Sequence, residues 1–229
     1  MADTELEALR GIPTCDLADA MTRLQMGIRF VHNGQLVSPG PASPLQSSTY
    51  FLGRAHVAAF AASESPVEAS KSNAVDTLTA NQVLVLKGVA GAPNAVFGGL
   101  LAARAVAVGA VGAVVDGRIR DVNEVRSFES VFGVVSTSHA QSVLGAPTWA
   151  KCVQVGGQIV LAEDNQFPIT VSENDIVIAD IDGCVVVPPS RALEVAQLAR
   201  KIQAQDALCK IDIEQHGSTL VDAFKKHRS

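Results

Sequence analysis

Asp116-Gly117-Arg118-Ile119-Arg120-Asp121-Val122-Asn123-Glu124 gathers charges of both signs directly after the apolar pair Val114-Val115. Arginine grips a carboxylate through two parallel hydrogen bonds. Aspartate is a hard oxygen ligand, and magnesium takes one or two such carboxylates while keeping several waters. A strand-end turn of this composition suits a small anionic ligand beside a divalent cation; the competing reading is a solvated turn of Arg–Asp ion pairs. A second turn, Gly98-Gly99 before Leu100-Leu101, precedes an alanine-rich stretch. Glycines at a helix start leave backbone N–H groups open and let a carboxylate or phosphate come close, because no Cβ stands in the way. Here the competing reading is a plain glycine turn. No lysine occurs in residues 97–126. A Schiff-base mechanism is therefore not favoured.

Other chemistry is poorly supported. Gly109 and Gly112 precede the apolar run 113–115 rather than follow it, which is the wrong order for a dinucleotide loop, and no GxxxxGK[ST] segment is present. Ser136-Thr137-Ser138-His139 offers nucleophile and base types without a GxSxG elbow. His32, His56, His216 and His227 are isolated along the chain and read as structural or solvated. Cys15, Cys152, Cys184 and Cys209 form no CxxC pair, which favours reduced, mostly buried thiols over disulfides and disfavours zinc.

The elements that must position the two turns follow from hydrophobic pattern. Residues 5–25 read as two short helices, with Thr14 as N-cap and Asp16 in the first turn. Residues 27–48, with Pro39, Pro41 and Pro44, read as a long irregular connection. Strands are expected over 54–60, 82–87, 113–116, 131–136, 151–161 and 175–187, the last two broken by turns at Gly156-Gly157 and Asp182-Gly183. The stretch after Gly99 reads as a helix closed by Gly109. Ser190 is expected to cap a helix over 191–210 with Leu193, Leu198 and Ile202 as its apolar stripe, and a last helix covers 219–226. Val83, Leu84, Val85 and Leu86 are apolar on both faces, as in a covered sheet. The expectation is one α/β domain over residues 1–229 with a mixed sheet.

The chain has 229 residues, 48% hydrophobic and 18% charged, with a formal charge of −5 and only 4% aromatic residues. That size buries enough surface to fold without staples. The composition excludes intrinsic disorder and argues against nucleic acid, which needs excess Lys and Arg or stacking aromatics. No apolar run reaches membrane-spanning length and the acidic start lacks a signal core, so a cytoplasmic location is expected.

Taken together, Asn94-Ala-Val-Phe-Gly-Gly-Leu100, Gly109-Ala-Val-Gly112 and Val114-Val-Asp-Gly-Arg-Ile-Arg-Asp121 resemble the RraA-like family. Thr14-Cys-Asp-Leu-Ala-Asp-Ala20, Val155-Gly-Gly157, Asn174-Asp-Ile-Val-Ile-Ala-Asp-Ile-Asp-Gly183 and Val185-Val-Val-Pro188 support the resemblance over most of residues 12–190. The spacing from Gly99 to Arg120, Asp121 and Glu124 is similar to the G-x20-R-D-x2-E/D pattern of the eukaryotic-type members. The enzyme branch comprises class II 4-hydroxy-4-methyl-2-oxoglutarate aldolases, which also decarboxylate oxaloacetate. Its bacterial members usually carry an acidic residue where Gly99 stands. The branch that inhibits a ribonuclease typically lacks the metal-binding Asp, whereas Asp121 is present here.

The resemblance implies a β/β/α swivelling-domain fold and a ring-shaped homotrimer with sites at subunit interfaces. It implies a lyase that releases pyruvate from a small 2-oxo diacid with magnesium or manganese. In that reading Asp121 binds the metal, the backbone around Gly98, Gly99, Leu100 and Leu101 binds the pyruvyl carboxylate, Arg120 binds substrate oxygens, and Glu124 orients Arg120 or a water. The alternatives are a non-catalytic oligomeric regulator and a lyase acting on an unusual substrate.

Overall fold

The computed structural model describes residues 3–39, 49–138, 141–163 and 167–228. In chain order the elements are α1 (Thr4–Leu9), α2 (Thr14–Arg23), β1 (Gln35–Pro39), β2 (Thr49–Ala62), β3 (Gln82–Lys87), β4 (Ala95–Phe97), α3 (Gly99–Ala107), β5 (Gly112–Asp116), β6 (Arg118–Ile119) and α4 (Val122–Arg126). There follow β7 (Gly133–Ser136), β8 (Ala150–Val155), β9 (Gln158–Leu161), β10 (Ile169–Ser172), β11 (Ile176–Asp180), β12 (Cys184–Val187), α5 (Ala192–His216) and α6 (Leu220–His227). The expected α/β class is what the chain adopts.

Eight strands form one sheet in the order β1-β7-β5-β3-β2-β11-β12, with β8 also on β2. The neighbours β2, β3, β5 and β7 run parallel, while β1, β8, β11 and β12 are antiparallel to their partners. β2 is 14 residues long. Its first part pairs with β11 and its last part with β8, so one strand bridges two ends of a curled sheet.

The run Val83 to Leu86 shows why both faces are covered. Leu84 and Leu86 enter one core with Phe97, Ala102, Ile119 and Phe132. Val83 and Val85 enter another with Val57, Leu161 and Val171. Successive strand side chains point to opposite faces, so one apolar tetrapeptide serves two cores. A third core packs α1, α2 and α5 on β11 and β12 through Leu9, Leu17, Ile178, Val187, Val195 and Ile202.

Several local expectations change. Thr14 is the first helical residue rather than the cap; its N–H and hydroxyl both go to Asp180, at 2.8 and 2.6 Å. Asp180 thus does from a distant strand what a cap side chain does locally. Ser190 lies in a short 3-10 turn, and α5 begins after Arg191 without a side-chain cap. That helix runs on to His216, where Gly217 closes it in the left-handed conformation at φ 67°. Leu193 points outward, 56% exposed, while Ile202 is buried as expected, in a stripe with Ala192, Val195, Ala196 and Ala199. Within the connection 27–48, β1 pairs with β7 and Phe30 bridges to Val185; residues 40–48 lie outside the described residues. The strands β4, β6 and β10 were not anticipated. The first two are three and two residues long, too short for a period to register.

The four cysteines are free: Cys184 and Cys209 buried, Cys152 half-buried, Cys15 exposed. Burial pushes the Cys184 thiol far up, which makes it inert. His56 is buried between Glu173 and Thr77, both at 2.8 Å, and His227 and His216 bind Asp212, so these are structural histidines. His139 lies outside the described residues.

Candidate active site

The two glycine- and charge-bearing turns meet because of β4 and β6. These short strands pair in parallel, Ala95 with Arg118 and Phe97 with Ile119. The Arg120 N–H continues the ladder onto the Phe97 carbonyl at 3.0 Å. Phe97 stacks on Phe132 with centroids 6.3 Å apart, and Ile119 is fully buried. The core therefore fixes the strands, and the residues that follow them, Gly98-Gly99 and Arg120-Asp121, emerge side by side.

Gly98 is the N-cap of α3 in an extended conformation and has no side chain to cap it. Among the described residues the N–H groups of Leu100 and Leu101 find no acceptor, while that of Gly99 reaches the Asp121 Oδ2 at 3.3 Å. The first N–H groups of a helix lack intrahelical partners, and its N-terminus favours negative charge. Asp121 supplies such charge from the neighbouring turn. It sits at φ 55°, ψ 38°, a left-handed conformation that Asp tolerates better than most residues, and its carboxylate makes no bond to its own helix α4. Arg120 Nε lies 3.3 Å from Asp121 Oδ2, with both side chains about two-fifths exposed, at 43% and 42%.

Side chains from the neighbouring turn approach both glycines closely. A Cβ at Gly98 would stand 2.8 Å from Asp121 Oδ2 and 2.9 Å from Arg120 Cγ. A Cβ at Gly99 would overlap the Glu124 carboxylate. The space that a side chain at position 99 would need is filled by an acid from α4.

Gly98, Leu100, Leu101, Arg120 and Asp121 line a cavity of about 840 Å³, whereas Gly99 and Glu124 pack against each other beside it. Its floor is sheet: Phe60, Leu84 and Leu86. Another wall is β8 with the segment 69–75, held there by the Ser70 N–H on the Cys152 carbonyl at 2.8 Å. Gly145, Ala146 and Pro147 close over Arg120, whose Nη1 would stand 2.9 Å from a Cβ at Gly145. The motif is free of lysine but the cavity is not: Lys71 and Lys151 line it from outside residues 97–126. No spacing within the motif signals them, because β8 joins the site only through its pairing with β2.

Asp116 and Arg118 do not join this site. Asp116 accepts from Thr137 Oγ1 at 2.8 Å and the Ala162 N–H at 2.7 Å, and Arg118 Nε reaches the Ala92 carbonyl at 3.3 Å. Both line a separate hollow of about 290 Å³.

Among the described residues no cluster of three or more His, Cys, Asp or Glu side chains forms a metal cage. The donor set at α3 still suits a hard cation. Asp121 is half-exposed, its Oδ1 has no bonded partner among the described residues, and Glu124 is the neighbouring carboxylate. Magnesium or manganese needs little more than this from a protein, since water fills the rest of its shell.

Comparison with known proteins identifies the fold. The chain is similar in structure to an uncharacterized protein from Pseudomonas syringae pv. tomato, at TM-score 0.79 and 24% identity over 99% of this chain and 95% of that one. It is also similar to Streptomyces coelicolor RraAS2, described as an unusual member of the RNase ES inhibitor RraA family, at TM-score 0.75 and 19% identity over 92% and 98% of the chains. The RNA-processing inhibitor RraA from Thermus thermophilis matches less fully, at TM-score 0.51 and 20% identity over 74% and 90%. No helix among the described residues is long and apolar enough to cross a membrane. The family model for RraA-like proteins, described as Aldolase/RraA, matches residues 14–186, which include both turns, and the chain belongs to that family.

Proposed function

We propose that this chain is a divalent-metal-dependent lyase that cleaves a C–C bond of a 2-oxo diacid to give pyruvate, by retro-aldol cleavage, decarboxylation of an oxaloacetate-type acid, or both. The observation that carries this reading is the N-terminus of α3, with the Leu100 and Leu101 N–H groups open, lying directly beside Arg120 and Asp121 on the wall of one cavity. The free N–H groups of Leu100 and Leu101 bind the carboxylate next to the 2-oxo group, with no Cβ at Gly98 to obstruct it. Arg120 donates to substrate oxygens and steadies negative charge as the bond breaks. Asp121, with Glu124 beside it, would hold Mg²⁺ or Mn²⁺. When bound, the ion acts as a Lewis acid toward the 2-oxo and carboxylate oxygens. Glu124 orients water or Arg120 at that end. The homotrimer with interface sites is part of the proposal.

The test is a pyruvate-release screen over 2-oxo diacids, with magnesium and with excess chelator. Metal-dependent release supports the reading; full activity in chelator, or no turnover of any 2-oxo acid, points to the non-catalytic regulator.

A further inference from the structure

Arg120 is half-exposed, and its single polar contact among the described residues is Nε on Asp121 Oδ2 at 3.3 Å. Its two Nη nitrogens bond to nothing in that set, so the fork keeps its donors for a ligand. An exposed arginine has many rotamers open to it. A donor that must be ordered during the reaction loses the advantage of one set beforehand. One contact at Nε leaves the end of the guanidinium free to swing, and the segment 142–147 is what meets it there.

That segment is tied to both short strands that carry the site. The Ser142 N–H donates to the Ile119 carbonyl on β6 at 3.1 Å, and the Ala95 N–H of β4 donates to the Leu144 carbonyl at 2.9 Å. The Leu144 N–H turns back onto Ser142 Oγ at 3.0 Å. The segment is therefore fixed to the same pair of strands as Arg120, and it lays Gly145 across the end of the side chain. A Cβ at Gly145 would stand 2.9 Å from Nη1 and 3.5 Å from Cζ, whereas its next neighbour, Pro147 Cδ, lies at an ordinary 3.6 Å. Gly145 itself sits at φ −83°, ψ 162°, extended backbone that any residue adopts. The backbone at 145 would accept a side chain, and the first thing that side chain meets is the guanidinium.

Resting on the lyase reading above, we propose that Gly145 is a positioning residue for Arg120. Bare backbone at 145 stops the fork at Nη1 while Asp121 holds it at Nε, and these two contacts aim the remaining donors at substrate oxygens. The atom that must give way to a Cβ is the far end of a flexible side chain. Filling position 145 therefore shifts the guanidinium at little cost to the fold.

The experiment compares Gly145→Ala, Arg120→Lys and the double variant, as full chains with magnesium and oxaloacetate. Lysine ends short of the Nη positions, so alanine at 145 meets no guanidinium in that background. Gly145→Ala should lower kcat about tenfold and leave KM within about threefold, because Arg120 acts on charge that develops as the bond breaks. The thermal midpoint should stay within about 2 °C of wild type, less than a loss of 1 kcal/mol would move it. In the Arg120→Lys background the same change should alter kcat by less than about twofold, the non-additivity expected of two residues that act through one contact. Calorimetry with oxalate, a planar dianion shaped like the enolate of pyruvate, needs no turnover. In magnesium buffer Gly145→Ala should weaken oxalate about fivefold, but only where Arg120 is present.

A Gly145→Ala variant with wild-type kcat overturns the positioning role and leaves the lyase reading intact. A loss of equal size in both backgrounds, or one accompanied by a large fall in the midpoint, assigns Gly145 to the fold and likewise overturns the role. Absence of turnover on every 2-oxo acid, together with an Arg120-dependent loss of oxalate affinity, overturns the lyase reading and keeps the positioning role. Oxalate affinity that Gly145→Ala leaves unchanged overturns the role whatever the activity.

Discussion

The N-termini of α2 and α3 each receive a carboxylate from elsewhere in the chain, and the two acids are held in opposite ways. At α2, Asp180 is 1% exposed and accepts from the Thr14 N–H and hydroxyl, from the Asp182 N–H at 2.9 Å and from the Gly183 N–H at 3.3 Å. Each of its oxygens is occupied. At α3, Asp121 is half-exposed, accepts one long bond from Gly99, and leaves two helix N–H groups open. A saturated buried carboxylate stabilises a fold; an unsaturated one at a helix dipole, next to an arginine, is available for a ligand. Asp212 belongs with Asp180: it is buried and binds Lys226 at 2.8 Å, His227 at 2.8 Å and His216 at 3.0 Å, tying α6 to α5.

The largest contrast is expected from Asp121→Ala. It should abolish metal-dependent pyruvate release while lowering the thermal midpoint by only about 2–4 °C, the effect of about 1 kcal/mol for placing Ala in the left-handed backbone at φ 55°. A fall in the midpoint as large as that of an Asp180 variant would erase the distinction between the two helix ends. Asp180→Ala should do the reverse. It strands buried donors and should lower stability by about 3 kcal/mol, or roughly 2–4 °C of midpoint per kcal/mol for a chain of this size. Urea unfolding measures it, and a loss below 1 kcal/mol would show that the four hydrogen bonds are replaceable by water.

Arg120→Lys keeps the charge and loses the planar fork, so a rate loss on the order of 10²-fold is expected. Kinetics within threefold of wild type would reduce Arg120 to a surface ion pair. Gly99→Asp is a finer probe, because its side chain would collide with Glu124. The single variant should lose about tenfold in kcat/KM, and Gly99→Asp combined with Glu124→Ala should recover most of it. A double variant as poor as the single one would show that Gly99 is needed for its backbone alone. Steady-state ratios for oxaloacetate and 4-hydroxy-4-methyl-2-oxoglutarate then report which reaction the relocated acid favours; the wild type should decarboxylate at least as fast as it cleaves the aldol.

The smallest effect concerns pH. Hydrogen bonds from Lys226, His227 and His216 hold the Asp212 carboxyl well below the usual carboxylate range. A depressed folded value means that its contribution is complete above the ordinary carboxylate pKa of about 4 and is lost as pH falls through the range beneath it. Asp212→Asn should flatten the stability profile between about pH 4 and pH 2 and leave the slope near neutrality alone. An unchanged acid limb in urea titrations would exclude Asp212 from the group of structural carboxylates.

Much of this was legible from residue types. The run Val83 to Leu86 announces a strand covered on both faces because nothing polar interrupts it, and Gly98-Gly99 before an alanine-rich stretch announces an open helix start. The charges of residues 116–124 announce a site but not its division. Whether Asp116 and Arg118 share a pocket with Arg120 and Asp121 depends on which way each side chain leaves a two-residue strand, and no local propensity encodes that. Thr14 differs from a local cap for a related reason: its partner Asp180 is 166 residues away. Caps supplied across the fold carry no local spacing signal.

Sequence alone determined the class of fold, the apolar strands and the chemical types at the motif, since these follow from hydrophobic period and from what glycine, arginine and aspartate can do individually. Tertiary structure decided which of those types meet. Pairing of β4 with β6 joins the two turns, α4 brings Glu124 against Gly99, and pairing of β2 with β8 brings Lys71 and Lys151 to a cavity whose motif contains no lysine. Contacts between residues distant in the chain depend on strand register and sheet order, and those are settled only when the whole core packs at once.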